Sequence, residues 1–320
     1  MWGEGTGIDA SLLAAVDDAI HDGVDVLSLS LILTEGSWGS LQAVLNGITV
    51  VYGAGNDGPA PQTVANSAPW VITVAASTID RSFPTAITLG NNRTLVGQAM
   101  YHGNLNKTEE FIDILHGSTC SDGTLNATIY GGTIVLCHTG SNPPMTQVGV
   151  ALQSVLEAGG VGLIFAQYTT NVLPQFDTFP CIVVDSEIYR QILDYIATTD
   201  TPKVKLSATR TVTGNQVLSP RVAAFSSRGP SSVFSGILKP DIAAPGVGIL
   251  AAVKDSYAFM DGTSMATPHV SGIVALLKCL HPTWSPATIK SAIVTTASVV
   301  DGYGAPIVAE GVPRKIADPF

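Results

Sequence analysis

The sequence predicts an α/β fold built on a parallel β-sheet. Apolar helical segments and buried strands alternate in the first part of the chain, as they do in parallel sheets with right-handed crossovers. Of the 320 residues, 46% are hydrophobic, 12% are charged and 32 are glycine, which suits buried parallel strands joined by glycine turns. From about residue 95 to residue 207 the pattern changes, which indicates a separate region within the chain.

Each element of the first part is bounded by a glycine or a turn. The predicted helices cover residues 9–22, ending at Gly23, and residues 37–46, ending at Gly47. The predicted strands cover residues 24–31, 48–52 and 70–75. In the middle region we predict strands at 133–137 and 161–165, with a helix at 148–158 that ends at two glycines. The expected division is 1–94, 95–207 and 208–320.

Ser264 is the first candidate functional residue, in the string DGTSMATPHVSGIVALL over residues 261–277. It lies where a glycine-bearing turn opens into an apolar helix, so backbone N–H groups and the helix dipole favour negative charge beside it. Gly262 allows a substrate backbone to come close, and Pro268 is expected in the first turn, where no hydrogen bond is lost. The alternative is a helix start with an incidental serine.

Asn56 is the second candidate, in the turn GAGNDGP over residues 53–59 that follows a buried strand. Acyl transfer needs a hydrogen-bond donor aimed at the developing oxyanion, and an asparagine on a tight turn can supply one. The alternative is a turn residue that merely tolerates left-handed backbone geometry.

Together these motifs resemble those of the subtilisin-like serine proteases, in particular the plant subtilases. The resemblance extends to FSSRGP at 225–230, ILKPDIAAPG at 237–246 and HPTWSPATIKSA at 281–292. It implies a parallel sheet sandwiched by helices, with Ser264 as nucleophile and Asn56 in the oxyanion hole. The implied substrate is an extended peptide or protein, and no cofactor is implied. The substrate-binding residues implied are Ser30, Leu31, Ala54, Gly55 and Gly262. Ile32 stands where the family usually has a glycine, so the primary specificity pocket is expected to be narrower.

The middle region resembles the β-rich protease-associated domain that plant subtilases insert into the catalytic domain. The resemblance implies a disulfide between Cys120 and Cys137, and a role in substrate access or protein contacts. A passive insertion is the alternative. Cys279, on an apolar helix, is expected to be buried.

The family's remaining catalytic motifs do not occur in this sequence. A subtilase carries an Asp in a D-[ST]-G turn and a His in an H-G-T helix start, both before the serine. Neither string is present, and none of the six histidines is a credible general base. We interpret the chain as a fragment, a truncated gene model or a degenerate copy, with an open sheet edge at its first strand.

Charge and composition restrict the possible binding partners and the cellular location of the protein. A net charge of −10 argues against nucleic-acid binding, and no segment is a convincing membrane span. No phosphate-binding loop, CxxC pair or HExxH string occurs, and no metal-ligating residues are predicted. No D-x-D-x-D loop occurs either, so the sequence leaves calcium dependence open. Three N-x-T sites, at Asn92, Asn106 and Asn126, support a secreted, apoplastic glycoprotein, although no signal peptide is present.

Two function classes follow. The first is a secreted serine endopeptidase in which Ser264 forms the acyl-enzyme, inactive as this isolated chain. The second is a non-catalytic relative that keeps the peptide groove as a binding module. An upstream reading frame with the two missing motifs would favour the first.

Overall fold

The computed structural model describes residues 8–32, 38–101, 110–121, 125–139, 147–167, 173, 179–311 and 314–318. The helices are α1 Ile8–Asp22, α2 Trp38–Leu45, α3 Ala127–Tyr130, α4 Gln147–Glu157, α5 Ser186–Thr198, α6 Thr263–Leu280 and α7 Pro286–Thr295, with a 3₁₀ turn at Gly214–Gln216. The strands are β1 Val26–Leu29, β2 Thr49–Gly53, β3 Ile72–Ser77, β4 Arg81–Ser82, β5 Pro84–Leu89, β6 Thr94–Gln98, β7 Ile112–Ser118, β8 Ile134–His138, β9 Gly162–Ala166, β10 Cys181–Val184, β11 Lys203–Leu206, β12 Val212–Thr213, β13 Arg221–Val222, β14 Ile242–Pro245, β15 Ile249–Val253, β16 Ser256–Met260, β17 Val308–Ala309 and β18 Lys315–Ile316.

The predicted parallel sheet forms the first of two large β-structures, and two two-stranded sheets, β4 with β12 and β15 with β16, accompany them. Strands β1, β2, β3 and β14 pair in parallel, in that order. Strand β13 pairs antiparallel with β3, and β17 and β18 continue the sheet beyond it. Strand β1 is the end of this order, and within the described residues it pairs only with β2. Among the described strands, β1 is therefore the edge strand of this sheet.

Helices cover both faces of the sheet because the side chains of its strands alternate. Val51 on β2 belongs to the core under α6, together with Val270 and Val274. Its neighbours Val50 and Tyr52 belong to a second core, under α1 and α2. Each of these β2 side chains is 1% exposed or less, which explains why the strand is continuously apolar.

The second β-structure is a closed barrel of seven strands, in the order β10, β6, β5, β11, β7, β8, β9. Its interior is filled by branched side chains such as Ile87, Ile134 and Ile164. Helix α5 packs against this interior core through Ile192, and α4 packs through Val155 against a second core outside β8 and β9.

The barrel begins earlier than the sequence pattern indicated. Strand β5, Pro84–Leu89, already belongs to it and forms a hairpin with β6, so the expected boundary at 94/95 cuts through a paired unit. The hairpin turn is closed by the Leu89 N–H, which donates to the Arg93 carbonyl, and Asn92 in the turn has φ 68°. The barrel therefore begins at Pro84, the first residue of β5.

The four cysteines divide between a disulfide and two free thiols. Cys120 and Cys137 are bonded, with their Cα atoms 5.8 Å apart, which is the pairing that the resemblance implied. Cys181 is buried, and burial raises the pKa of its thiol to about 12. Cys279 is exposed, so its expected burial is wrong: α6 is apolar on most sides, but only one side packs on the sheet.

Two of the three predicted glycosylation sites can be located. Asn92 is exposed in the β5–β6 turn, and Asn126 is exposed at the start of α3, where its side chain accepts a hydrogen bond from the Thr128 N–H. Asn106 lies outside the described residues. Across the ranges that the structure describes, no helix has both the length and the apolar character to cross a membrane.

Candidate active site

The N-terminus of α6 positions Ser264, the second residue of that helix. The residue before the helix, Gly262, has φ 152°, a conformation that side-chain-bearing residues rarely adopt. Ser264 is partly exposed, whereas Thr263 and Ala266 on the neighbouring turn positions are 1% exposed or less. Ser264 therefore faces outward at the start of α6, whereas Thr263 and Ala266 are buried in the core.

Asn56 lies at the same helix terminus. Its Oδ1 accepts hydrogen bonds from the Thr263 backbone N–H at 2.9 Å and from the Thr263 hydroxyl at 3.1 Å. A Cβ atom placed on Gly262 would lie 3.7 Å from Asn56 Nδ2 and 3.6 Å from Ser264 N, so the amide nitrogen lies on the side of Ser264. Within the described residues this amide nitrogen makes no hydrogen bond to the protein.

Thr263 and Ser227 hold the turn that carries Asn56. The Gly55 N–H donates to the Thr263 hydroxyl at 3.3 Å, and the Asp57 N–H donates to the Ser227 hydroxyl at 3.0 Å. Gly55 has φ 101°, and a Cβ atom there would lie 2.7 Å from Ser227 Oγ. Only glycine fits this turn, because both the backbone angle and the space exclude a side chain.

Ser30 and Leu31 follow β1 and lie beside the start of α6. The Ser30 hydroxyl donates to the Ser264 carbonyl at 2.8 Å. That carbonyl would normally accept from residue 268, but Pro268 has no N–H. Pro268 is the sixth helical residue, so the expectation that it sits in the first turn is wrong. The side chain of Ser30 replaces the lost helical donor.

Asn66 joins the two segments that the resemblance implied as substrate-binding. Its amide donates to the Leu31 carbonyl at 2.7 Å and to the Gly53 carbonyl at 2.8 Å. Asn66 is 7% exposed and has φ 51°. Ala54, which follows Gly53, is fully buried, and Ile32 is 50% exposed. Leu31 and the Ala54 turn are thus held at a fixed separation.

Asp261 precedes Gly262 and lines a cavity together with residues of the sheet and of the barrel, such as Arg221 and Gln98. Its Oδ1 accepts from the Gly248 N–H at 2.6 Å. Burial raises the pKa of the Asp261 carboxyl to about 6, while hydrogen bonds from Gly248 and Leu173 act in the opposite direction. Phe83 and Phe259, ring centroids 5.3 Å apart, line the same cavity.

No described histidine contacts Ser264. His269 bonds to the Met265 carbonyl on its own helix, His281 stacks on Trp284, and His21 bonds to the Asp17 carbonyl. His116 and His138 belong to the barrel, and His102 lies outside the described residues. Among the described residues, no group of three or more His, Cys, Asp or Glu side chains could hold a metal ion.

Sequence reasoning missed Thr263, Ser227 and Asn66. Ser227 lies in the motif FSSRGP, and Thr263 directly precedes Ser264. Their roles arise from contacts with Asp57, 170 positions from Ser227, and with Gly55, 208 positions from Thr263. No local signal in the sequence distinguishes such a threonine or asparagine from an ordinary turn residue.

Comparison with known proteins gives a consistent result. The model of the Subtilase family (Peptidase_S8) matches residues 1–313. Two proteins of Arabidopsis thaliana, "Subtilisin-like protease SBT3.7" and "Subtilisin-like protease SBT3.9", are each 50% identical to this chain over 97% of its length. The chain spans 43% of each of these relatives. Among solved structures, "Sphericase" aligns with 95% of this chain and 61% of its own, at 18% identity and a TM-score of 0.42, a likeness on which no argument rests.

Proposed function

The chain belongs to the subtilase family, and on that premise we propose that it is the nucleophile-bearing part of a serine endopeptidase. The observation that carries the proposal is the convergence of Asn56, Thr263 and Ser264 at one helix terminus. In the proposed reaction, Ser264 Oγ attacks the peptide carbonyl, its proton passes to a general base, and the leaving amine is expelled to give an acyl-enzyme.

Asn56 acts as the oxyanion donor in this proposal. Its Oδ1 is occupied by Thr263, which orients Nδ2 toward the nucleophile side of the turn. A donor held in place in this way stabilises the oxyanion without reorganisation during the reaction. The positive end of the α6 dipole adds to the same stabilisation.

The substrate is an extended peptide that lies between Ser30–Leu31 and Ala54–Gly55. Such a peptide would pair with the backbone at the end of β1, as in strand addition. The half-exposed Ile32 would contact the residue that enters the primary pocket and would disfavour large side chains there.

We further propose that the isolated chain cleaves peptides very slowly. A serine hydroxyl is a weak nucleophile until a base removes its proton, and no described histidine is within hydrogen-bonding contact of Ser264. The competing possibility is a non-catalytic relative that uses the groove only for binding.

Fluorophosphonate labelling with and without added imidazole separates these possibilities. Imidazole in solution can act as the absent base, so we expect slow labelling of Ser264 that imidazole accelerates and that Ser264→Ala abolishes. Asn56→Asp is the matched variant: its carboxylate still accepts from the Thr263 N–H but lacks the donor. We expect it to slow labelling by about 10²–10³, the effect known for such a donor in subtilisin, a member of this family.

The outcomes are distinct. Rapid labelling without imidazole would refute the proposed low activity and require a base within this chain. No labelling even at high imidazole, in protein shown to be folded, would favour the non-catalytic alternative. Equal labelling of wild type and Asn56→Asp would remove Asn56 from the oxyanion hole.

The barrel and the compartment are further parts of the proposal. We propose that the barrel is a protease-associated domain, bounded by residues 84 and 206, that contacts proteins or limits access to the groove. We also propose an extracellular location, supported by the disulfide and by the exposed Asn92 and Asn126.

A further inference from the structure

Three side chains with metal-binding atoms meet in the barrel, away from the candidate active site. His116 lies on β7, His138 ends β8 and Tyr189 lies on α5. The Tyr189 hydroxyl oxygen is 2.9 Å from His116 Nε2 and 3.1 Å from His138 Nδ1. The imidazole rings are nearly parallel, with centroids 6.1 Å apart. Two imidazole nitrogens from different strands therefore converge on one phenolic oxygen.

The three side chains bond to one another and to neutral partners within the part of the chain that the structure describes. Among the described residues, no carboxylate or ammonium group hydrogen-bonds to any of the three side chains. The backbone of His116 is fixed by Tyr130, whose hydroxyl donates to the His116 carbonyl at 3.2 Å. All three rings are partly exposed, so an ion from solvent could reach them.

We propose that His116, His138 and Tyr189 form a binding site for a divalent copper ion. With bonds of about 2.0 Å to each donor, the two observed N–O separations give N–Cu–O angles of roughly 93° and 102°. Angles near 90° match the tetragonal geometry of Cu²⁺ with nitrogen and oxygen ligands. Water would fill the remaining positions.

Copper is favoured over other cations by the donor set. Two imidazoles and a phenolic oxygen suit borderline metals rather than Ca²⁺ or Mg²⁺, and affinity for such sites is greatest for Cu²⁺ among the divalent first-row ions. Binding releases the Tyr189 phenolic proton to solvent. Because a proton is released, affinity falls as the pH is lowered. The imidazole that donates to the hydroxyl in the free site carries its proton on its other ring nitrogen when the metal is bound.

Titration of the purified chain with Cu²⁺ at pH 7.5, in a buffer that does not coordinate copper, tests the proposal. We expect one equivalent to bind, with a visible phenolate-to-copper absorption band. His116→Gln and His138→Gln should each weaken binding by about tenfold or more. Tyr189→Phe keeps the ring packing and should abolish the band. His281→Gln, which alters a histidine stacked on Trp284 in another part of the fold, is the matched control and should change nothing.

Circular dichroism of each variant establishes that the barrel remains folded. Binding that is unaffected by His116→Gln and His138→Gln would overturn the proposal, as would the absence of stoichiometric binding. A band that persists in Tyr189→Phe would overturn the role of the tyrosine. Because none of these readouts uses protease activity, the test is independent of the proposed function.

Discussion

Replacing Asp261 with asparagine should favour the folded state more at neutral pH than at acid pH. The Asp261 carboxyl is partly buried next to Gly262, and this burial raises its pKa from 3.8 to about 6. A raised pKa means that the folded state binds this proton more tightly than the unfolded state does. Between pH 3.8 and 6 the stability contribution of Asp261 therefore falls as pH rises, and above pH 6 the full cost of its charge is present.

The size of the effect follows from the shift. About two pKa units, at 1.36 kcal/mol per unit, correspond to about 3 kcal/mol as an upper value. Asparagine carries no charge and keeps one oxygen that can accept from the Gly248 N–H, but it offers fewer acceptor sites than the carboxylate to the second donor, Leu173. We expect the stability of Asp261→Asn relative to wild type to rise by up to about 3 kcal/mol between pH 4 and pH 7.5.

Urea unfolding of both proteins at pH 4, 5, 6 and 7.5 measures this difference. The exposed Asp255, in the neighbouring β15–β16 turn, provides the control Asp255→Asn, which should show no comparable pH-dependent gain. A stability difference for Asp261→Asn that does not change with pH, or that falls between pH 4 and pH 7.5, would refute the reasoning.

Three further predictions concern single features. Removing the disulfide by Cys120→Ser with Cys137→Ser should lower barrel stability by about 3 kcal/mol, estimated from the 17-residue separation and measured by urea unfolding against the oxidised protein; an unchanged midpoint would contradict it. Thr263→Val keeps the shape of the side chain but removes the hydroxyl that bonds to Asn56, and it should lower the free energy of unfolding by about 1–3 kcal/mol. Thr263→Ser keeps a hydroxyl and should retain most of that stability; equal stability of the two variants would contradict this prediction. Ser30→Ala removes the only non-helical donor to the carbonyl of the nucleophile residue among the described contacts; we expect a loss of about 1 kcal/mol and faster hydrogen exchange at the start of α6, and unchanged exchange would contradict it.

The α/β elements could be predicted from the sequence because each is locally marked. The helix predicted at 9–22 is observed at Ile8–Asp22, and the strand predicted at 48–52 at Thr49–Gly53. The start of the barrel could not be predicted, since the burial of β5 alternates residue by residue and this pattern would suit the edge of either sheet. The pairing of β5 with β6 and with β11 assigns it to the barrel.

The candidate site shows the same division between local and distant information. Ser264 and Asn56 lie in short sequence motifs whose residue types indicate acyl-transfer chemistry. The replacement of a helical hydrogen bond by Ser30 could not be predicted, because it depends on Pro268 lying one turn deeper in the helix than expected. The exposure of Cys279 likewise depends on which side of α6 meets the sheet.

The bond from Ser30 to the Ser264 carbonyl has a consequence for changing specificity by protein engineering. This bond fixes the end of β1, where the proposed peptide substrate would pair, relative to Ser264. A peptide bound there would therefore lie at a fixed position relative to the Ser264 hydroxyl that is proposed to attack it. A library that varies the end of β1 to accept new side chains would disturb this alignment wherever residue 30 loses its hydroxyl. Diversity is better placed at Ile32, whose half-exposed side chain can change while the alignment is kept.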